Sequence, residues 1–408
     1  MPSVRRSFLR IAESPGVVFV VALTLRVWAL SQLLPQKASE YFYHYNEFAR
    51  IAWALASGHG YSSPWANTPL APTAVEPPVY SLLLAGIFRL AGPYSYSALC
   101  IAVFLNAVFS AITAVLILRL GRREFGSLVG ILAAWVWACW LYEAAVAVRL
   151  WESSLSTLLL MVALFMLPKL KAPSVALWLF FGFLAAAAGL TNTTLLSVFP
   201  FFWVWLWVGY RRRGRSCGKL ILTSVGVFLV TLLPWTLRNY EVFHRVIPVR
   251  DNFGLELWLG NHEGVTSRYD NDFPILDPSE YNRLGEIRFM ESKRDTALQF
   301  IGQHPAEFLR MSARRCLRYW TAPDPVVWSF VSLMAWGGMI LALRRKGFEA
   351  IPYAVVLLVF PLIYYITHTF NSYRHPTEPV MFLLAGYAGV SLLNWFATAL
   401  RGNEQPAC

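Results

Sequence analysis

The chain reads as an all-α polytopic membrane protein, with about ten transmembrane helices and additional juxtamembrane helices on the outer face. Three observations carry this. Of its 408 residues 57% are hydrophobic and only 14% charged, where a soluble protein carries roughly 25% charged residues. Apolar runs near the ~20-residue spanning length recur from one end to the other. No segment shows the polar–apolar alternation of barrel strands, so the spans are helices.

Taken in order, the expected spans are 16–34, 98–118, 126–147, 153–168, 174–190, 195–210, 220–237, 326–343, 350–367 and 378–399. The first follows Arg5, Arg6 and Arg10 like the core of a signal peptide. It is long for that role and no small-residue cleavage site follows cleanly, so it reads as a retained span. Basic residues then set the orientation. Arg119/Arg122/Arg123, Lys169/Lys171, Arg211/Arg212/Arg213/Arg215/Lys219, Arg344/Arg345/Lys346 and Arg401 all fall on the face that carries Arg5, Arg6 and Arg10. Short loops on the other face offer little beyond Arg149 and Arg374. That bias places both termini in the cytoplasm of a multi-pass inner (plasma) membrane protein.

The segment "PPVYSLLLAGIFRLAG" (77–92) is apolar, yet short and interrupted by Arg89. Counting it as a span would turn the Arg119 and Arg211 clusters outward, so it reads as a re-entrant or interfacial helix. The chain then divides into an N-terminal transmembrane module, 1–237, containing an outer loop at 35–97; an outer segment at 238–325; and C-terminal spans at 326–408. Within the first loop, "YHYNEFARIAWALASGHGYSS" (43–63) places Phe48, Ile51, Ala52, Leu55 and Ala56 at helical spacing, too polar to span. In the second, turn signals precede a helical pattern over 282–303. Pro305 then opens a helix with Arg310, Arg314 and Arg318 on one face.

The net charge of +12 does not signal nucleic-acid binding, because the basic residues sit between apolar runs as topology requires. Five scattered cysteines form neither a disulfide framework nor a zinc pattern, and no internal repeat is visible. Many of the 17 tryptophans sit near span ends as interfacial anchors.

Candidate chemistry collects on the outer face: Glu40, Glu47 and Glu76 in the first loop, and Arg149 and Glu152 in "VRLWESS". Arg238 and Asn239 follow in "PWTLRNY", then Tyr373, Arg374 and His375 in "NSYRHPTEP", with Glu378 just beyond. Ionisable groups near hydrocarbon are costly and point to function. Arginine forks suit a phosphate, and a carboxylate serves as a base or a ligand for a hard cation. Each also has a plainer role. Glu47 and Arg50 form a helical pair, Arg149 a headgroup anchor partnered by Glu152, Arg238 a helix cap, and the Arg310 stripe a membrane-surface face. His44 and His59 read as structural. No motif demands a cofactor; a divalent metal stays open should Glu47, Glu76 and Glu152 converge.

The ordered set "NEFARIAWALASGHGYSSP…TAVEPPVYSLLLAGIFRLAG", "PWTLRNYEVF…IPVRDNFGLELWLGN" and "YRHPTEP" resembles the type C integral membrane glycosyltransferases. The resemblance is to the bacterial branch related to protein O-mannosyltransferases and lipid A aminoarabinose transferases, and it runs over nearly the whole chain. It implies a polyprenyl-phosphate-linked sugar as donor, and transfer to a lipid, glycan or protein acceptor at the outer face. It also implies a catalytic acid in the first outer loop. Many relatives carry Asp there, where this chain reads "SEYFYHYNE", leaving Glu47 or Glu40 as the catalytic candidate. Glu76 replaces the Lys or Arg that some relatives place before the paired prolines. Arg238, Arg374 and His375 are expected to hold the lipid phosphate. A glycan ligase or polymerase is the nearest alternative; a lipid-phosphate flippase would favour repeats and mid-membrane charges over charges at span ends.

Overall fold

The computed structural model describes residues 11–37, 46–65, 68–265 and 278–402. Among them every regular element is helical, apart from an antiparallel bridge between Ser62 and Pro72. All ten expected spans fall on helices: α1 (Pro15–Lys37), α4 (Tyr96–Glu124), α5 and α6 (Ser127–Cys139, Leu141–Ala147), α7 (Ser153–Met166), α8 (Val175–Gly189), α9 (Phe199–Arg211), α10 (Gly218–Phe243), α15 (Pro325–Lys346), α16 and α17 (Ile351–Val359, Leu362–Ile366) and α18 (Glu378–Gly402). By length and composition, seven helical stretches of the described residues could each cross a membrane, or eight with the bent α5–α6 pair. One of the seven, Pro325–Ile366, has 42 residues. Straight, it would reach ~63 Å, about twice the ~30 Å hydrocarbon thickness. Arg344, Arg345 and Lys346 at its middle, followed by the 3₁₀ turn Gly347–Ala350, place the break between the two expected spans.

The two loop helices form where side-chain chemistry starts and stops them. The Asn46 side chain accepts from the Ala49 N–H and opens α2 (Glu47–Ala56), with Glu47 in the first turn complementing the helix dipole. Phe48, Ala49, Ile51 and Ala52 form its buried side. Pro78 opens α3 (Pro78–Ala91), whose 14 residues reach only ~21 Å. It packs along α2, with Phe48 edge-on to Tyr80 at 5.4 Å. Between α10 and α15 come α11 (Phe253–Gly260), α12 (Pro278–Leu284), α13 (Glu286–Gln303) and α14 (Pro305–Thr321). The helical pattern expected over 282–303 is split at Gly285, whose φ of +72° ends α12 before α13 begins.

The α5–α6 pair bends by 57°, which strands carbonyls at the end of α5. Arg26, in the middle of α1 and fully buried, donates to the carbonyls of Trp137 and Ala138 and to Ser110 Oγ. Orphaned backbone groups cost several kcal/mol in lipid, so an arginine in the first span stabilises a broken one. Elsewhere glycine permits backbone contact. A Cβ on Gly338 would strike the Leu384 carbonyl of α18 and one on Gly182 the Ser224 carbonyl of α10, the small-residue packing of membrane helices.

Contacts sort the bundle into two ends. At one, Arg122 pairs with Glu13, Arg123 donates to the Phe165 carbonyl, Lys171 pairs with Glu349 and Arg212 covers Phe348. At the other lie the two loop helices and the segment between α10 and α15, joined by Arg238, Arg250 and Glu286.

Candidate functional site

Three carboxylates remote in sequence meet at this second end. Glu47 comes from the first turn of α2, Glu76 from the extended residues before α3, and Glu152 from the N-terminal end of α7. The Glu47 and Glu76 carboxyls lie within hydrogen-bonding reach of each other, and the Trp65 indole donates to Glu47 Oε1 at 2.6 Å. Glu152 Oε1 accepts from Asn192 at 3.0 Å, while its buried Oε2 has no hydrogen-bond partner among the described residues. Burial pushes all three carboxyls up: Glu152 to about 7, Glu47 above the ordinary value against the Trp65 hydrogen bond, and Glu76 furthest, even with Arg250 opposing. Two carboxyls in one hydrogen bond cannot both ionise cheaply. Of the two, Glu76 is pushed further towards its protonated form.

Arg250 anchors the cluster from the segment between α10 and α11. Its Nη2 lies 3.4 Å from Glu76 Oε1 and 3.2 Å from Glu256 Oε1, and its Nε donates to the Val75 carbonyl. Asn252 donates to Glu256 Oε1, and His368 Nδ1 stands 3.2 Å from Glu256 Oε2. His368 Nε2 reaches the Tyr373 hydroxyl at 3.0 Å. Burial lowers the His368 imidazole, opposed by the pull of Glu256. Arg250, Glu256 and His368 were not singled out from sequence. Arg250 lies in "IPVRDNFGLELW", but a basic residue in a polar loop carries no signal without its partners.

The remaining expected residues take other places. Arg238 spends its fork on the Thr73 and Tyr61 carbonyls, both at 2.7 Å, and on Asn239 Oδ1. Asn239 in turn donates to the Ile247 carbonyl. Arg149 is half-buried, and its side chain makes no ion pair among the described residues. Tyr373 stacks on Tyr364 at 4.7 Å. His59 is exposed and stacks on Trp53. Arg310 pairs with Glu307 on an exposed face, while the buried arginine of α14 is Arg315, which donates to the Gly260 carbonyl. Glu40 and His44 lie outside the described residues.

Arg374 and His375 belong to a second cluster, inside the bundle. Arg374 Nε donates to Glu378 Oε1 at 3.0 Å and Nη1 to the Tyr319 carbonyl, with the guanidinium 3.7 Å from the centre of the Trp328 ring. His375 Nδ1 lies 3.0 Å from Glu143 Oε2 and 3.4 Å from Glu378 Oε2. All four side chains are buried. Among the described residues Arg238 and Arg374 share no hydrogen-bond or ion-pair partner: one is occupied by backbone carbonyls, the other by an ion pair and an indole. Nor do Glu47, Glu76 and Glu152 form the three-ligand cradle considered from sequence. Among the described residues, the group with ligand atoms within 4.8 Å of one another is Glu143, His375 and Glu378. With Arg26, Glu143 also amends the expectation that charges sit at span ends. The acid inside "WLYEAAVAV" was the available signal.

No family model matches the sequence, and no curated protein does. Among solved structures the chain is similar to ArnT from Cupriavidus metallidurans bound to undecaprenyl phosphate, with a TM-score of 0.52 and 14% identity over 95% of this chain and 64% of that one. It is also similar to the archaeal oligosaccharyltransferase AglB from Archaeoglobus fulgidus in complex with an inhibitory peptide and a dolichol-phosphate. There the TM-score is 0.57 and the identity 12%, over 97% of this chain and 52% of that one. The Archaeoglobus fulgidus oligosaccharyltransferase in complex with Zn and sulfate gives a TM-score of 0.55 at 13% identity, over 93% and 51%. The chain thus spans 51% to 64% of the length of these structures. Its fold, with helices apolar and long enough to cross a membrane, is thus similar to that of these structures.

Proposed function

We propose that this protein transfers a sugar from a polyprenyl-phosphate-linked donor to an acceptor at the outer face of the inner membrane. The observation that carries the reading is the convergence of Glu47, Glu76 and Glu152 with Arg250, from four separate segments, at the bundle end opposite the basic clusters. The same fold occurs in a structure bound to undecaprenyl phosphate and in another with dolichol-phosphate.

In this mechanism the Glu47 carboxylate takes the proton of the acceptor hydroxyl as its oxygen bonds to sugar C1. The bond from C1 to the phosphate oxygen breaks, and its electron pair leaves with the polyprenyl phosphate. Direct displacement inverts C1. Glu76, holding its proton, hydrogen-bonds Glu47 and leaves it ionised. The free Oε2 of Glu152 accepts from a sugar or acceptor hydroxyl. Arg149, which makes no ion pair among the described residues, and Arg250 stabilise charge on the departing phosphate. Arg238, Asn239 and Arg374 shape the frame, with Tyr373 behind His368.

Mass spectrometry of envelope glycans and of lipid-phosphate sugars, with and without the chain, tests the reading. Its loss is expected to remove one sugar from an envelope component while a matching polyprenyl-phosphate sugar accumulates. Unchanged profiles in both pools would reject it.

A further inference from the structure

Glu143, His375 and Glu378 lie outside the carboxylate cluster, and the mechanism above uses none of them. We infer that these three residues bind a divalent first-row metal ion of the zinc class inside the helical bundle.

Three features carry this. The first is an excess of acceptors. His375 Nδ1 can present one proton or one lone pair, yet it faces Glu143 Oε2 at 3.0 Å and Glu378 Oε2 at 3.4 Å. Neither oxygen has a hydrogen-bond partner among the described residues, and the same holds for Glu143 Oε1. One shared proton cannot satisfy two carboxylates; a cation joins all three groups. The second is spacing. Ligands ~2.0–2.1 Å from a tetrahedral metal stand ~3.3 Å apart, and 3.0 and 3.4 Å bracket that edge. The third is the surrounding shell. Arg374 Nε donates to Glu378 Oε1, the oxygen that does not face His375, and so orients the carboxylate from behind.

All three side chains are buried, which holds the ion inside the helix bundle and away from the carboxylate cluster proposed to handle substrate. Its place in the fold agrees. Glu143 is on α6, beyond the 57° break from α5. His375 is on the 3₁₀ turn Asn371–Thr377, and Glu378 begins α18. The ion would tie the broken span to the last helix.

The test uses the full chain in lipid nanodiscs, purified from zinc-supplemented cells, and also stripped with chelator and reloaded with Zn²⁺ or Co²⁺. Roughly one ion per chain is expected. X-ray absorption of the zinc form should show an imidazole and oxygen shell at ~2.0–2.1 Å without sulfur. His375→Gln and Glu143→Gln should each lower occupancy at least tenfold, whereas Glu47→Gln/Glu76→Gln should keep the ion. Zn²⁺ should raise the Tm of the stripped wild type. Wild type that holds no ion by either route, or a zinc shell without imidazole, overturns the inference even if the variants do not fold. Loss of the ion from the Glu47→Gln/Glu76→Gln variant with retention in His375→Gln would place the metal elsewhere and overturn it as well.

Discussion

Glu47 and Glu76 lie within hydrogen-bonding reach of each other, and that makes their protonation the sharpest residue-scale test of the proposed chemistry. Burial raises both, and Trp65 and the protonated Glu76 favour the charged form of Glu47. A base works only when ionised, so transfer should rise with pH as Glu47 loses its proton. Because its value is raised, the acid limb of the rate profile should be centred above 4.5, the ordinary glutamate value. Glu47→Gln should lower transfer by about 10²–10⁴-fold, the usual worth of a positioned general base. It should leave the protein folded, because burial penalises the charge and not the neutral amide. The readouts are kcat against pH for the wild type and Tm for the variant. A limb centred at or below 4.5, or near-normal turnover by Glu47→Gln, rejects Glu47 as the base.

At the scale of elements, the segment that carries Glu76 is held by long-range polar contacts. Arg238 binds the Tyr61 and Thr73 carbonyls, Glu286 accepts from the Ala74 N–H at 2.6 Å, and Arg250 binds the Val75 carbonyl. Hydrogen bonds to charged groups contribute roughly 1.5–3 kcal/mol each. Arg238→Gln should therefore destabilise by about 2–4 kcal/mol, and lower kcat by displacing Glu76. A residue that gripped the donor phosphate would instead raise the donor KM at unchanged Tm, so measuring both separates the roles. This contrast also shows what was legible in the sequence. The loop helices α2 and α3 could be read because an asparagine cap, paired prolines and apolar spacing act locally. The role of Arg238 could not, since one guanidinium serves a phosphate or two carbonyls equally well. Arg250, Glu256 and His368 become a cluster only when segments more than 100 residues apart meet. Arg26 and Glu143 were not singled out, although each stands as a charge within an apolar run.

On the scale of the whole molecule, the basic clusters and the carboxylate cluster occupy opposite ends of the same helices. Helix α7 shows this directly. Glu152, in the carboxylate cluster, precedes its first residue, and Arg123 donates to the Phe165 carbonyl near its last. Fourteen residues separate these ends by ~21 Å, and the turns beyond them extend the distance towards the ~30 Å hydrocarbon thickness. Basic residues gather on the cytoplasmic side, so the carboxylates should face outward, where lipid-linked sugars would be consumed. Single cysteines in a cysteine-free background test the orientation: His59→Cys on the exposed turn after α2, and Arg213→Cys beyond α9. In intact cells a membrane-impermeant maleimide should label His59→Cys. Arg213→Cys should react only after permeabilisation. The opposite pattern would invert the protein and place the carboxylate cluster in the cytoplasm. Equal labelling of both in intact cells would put the two ends on one side, against the separation that α7 imposes.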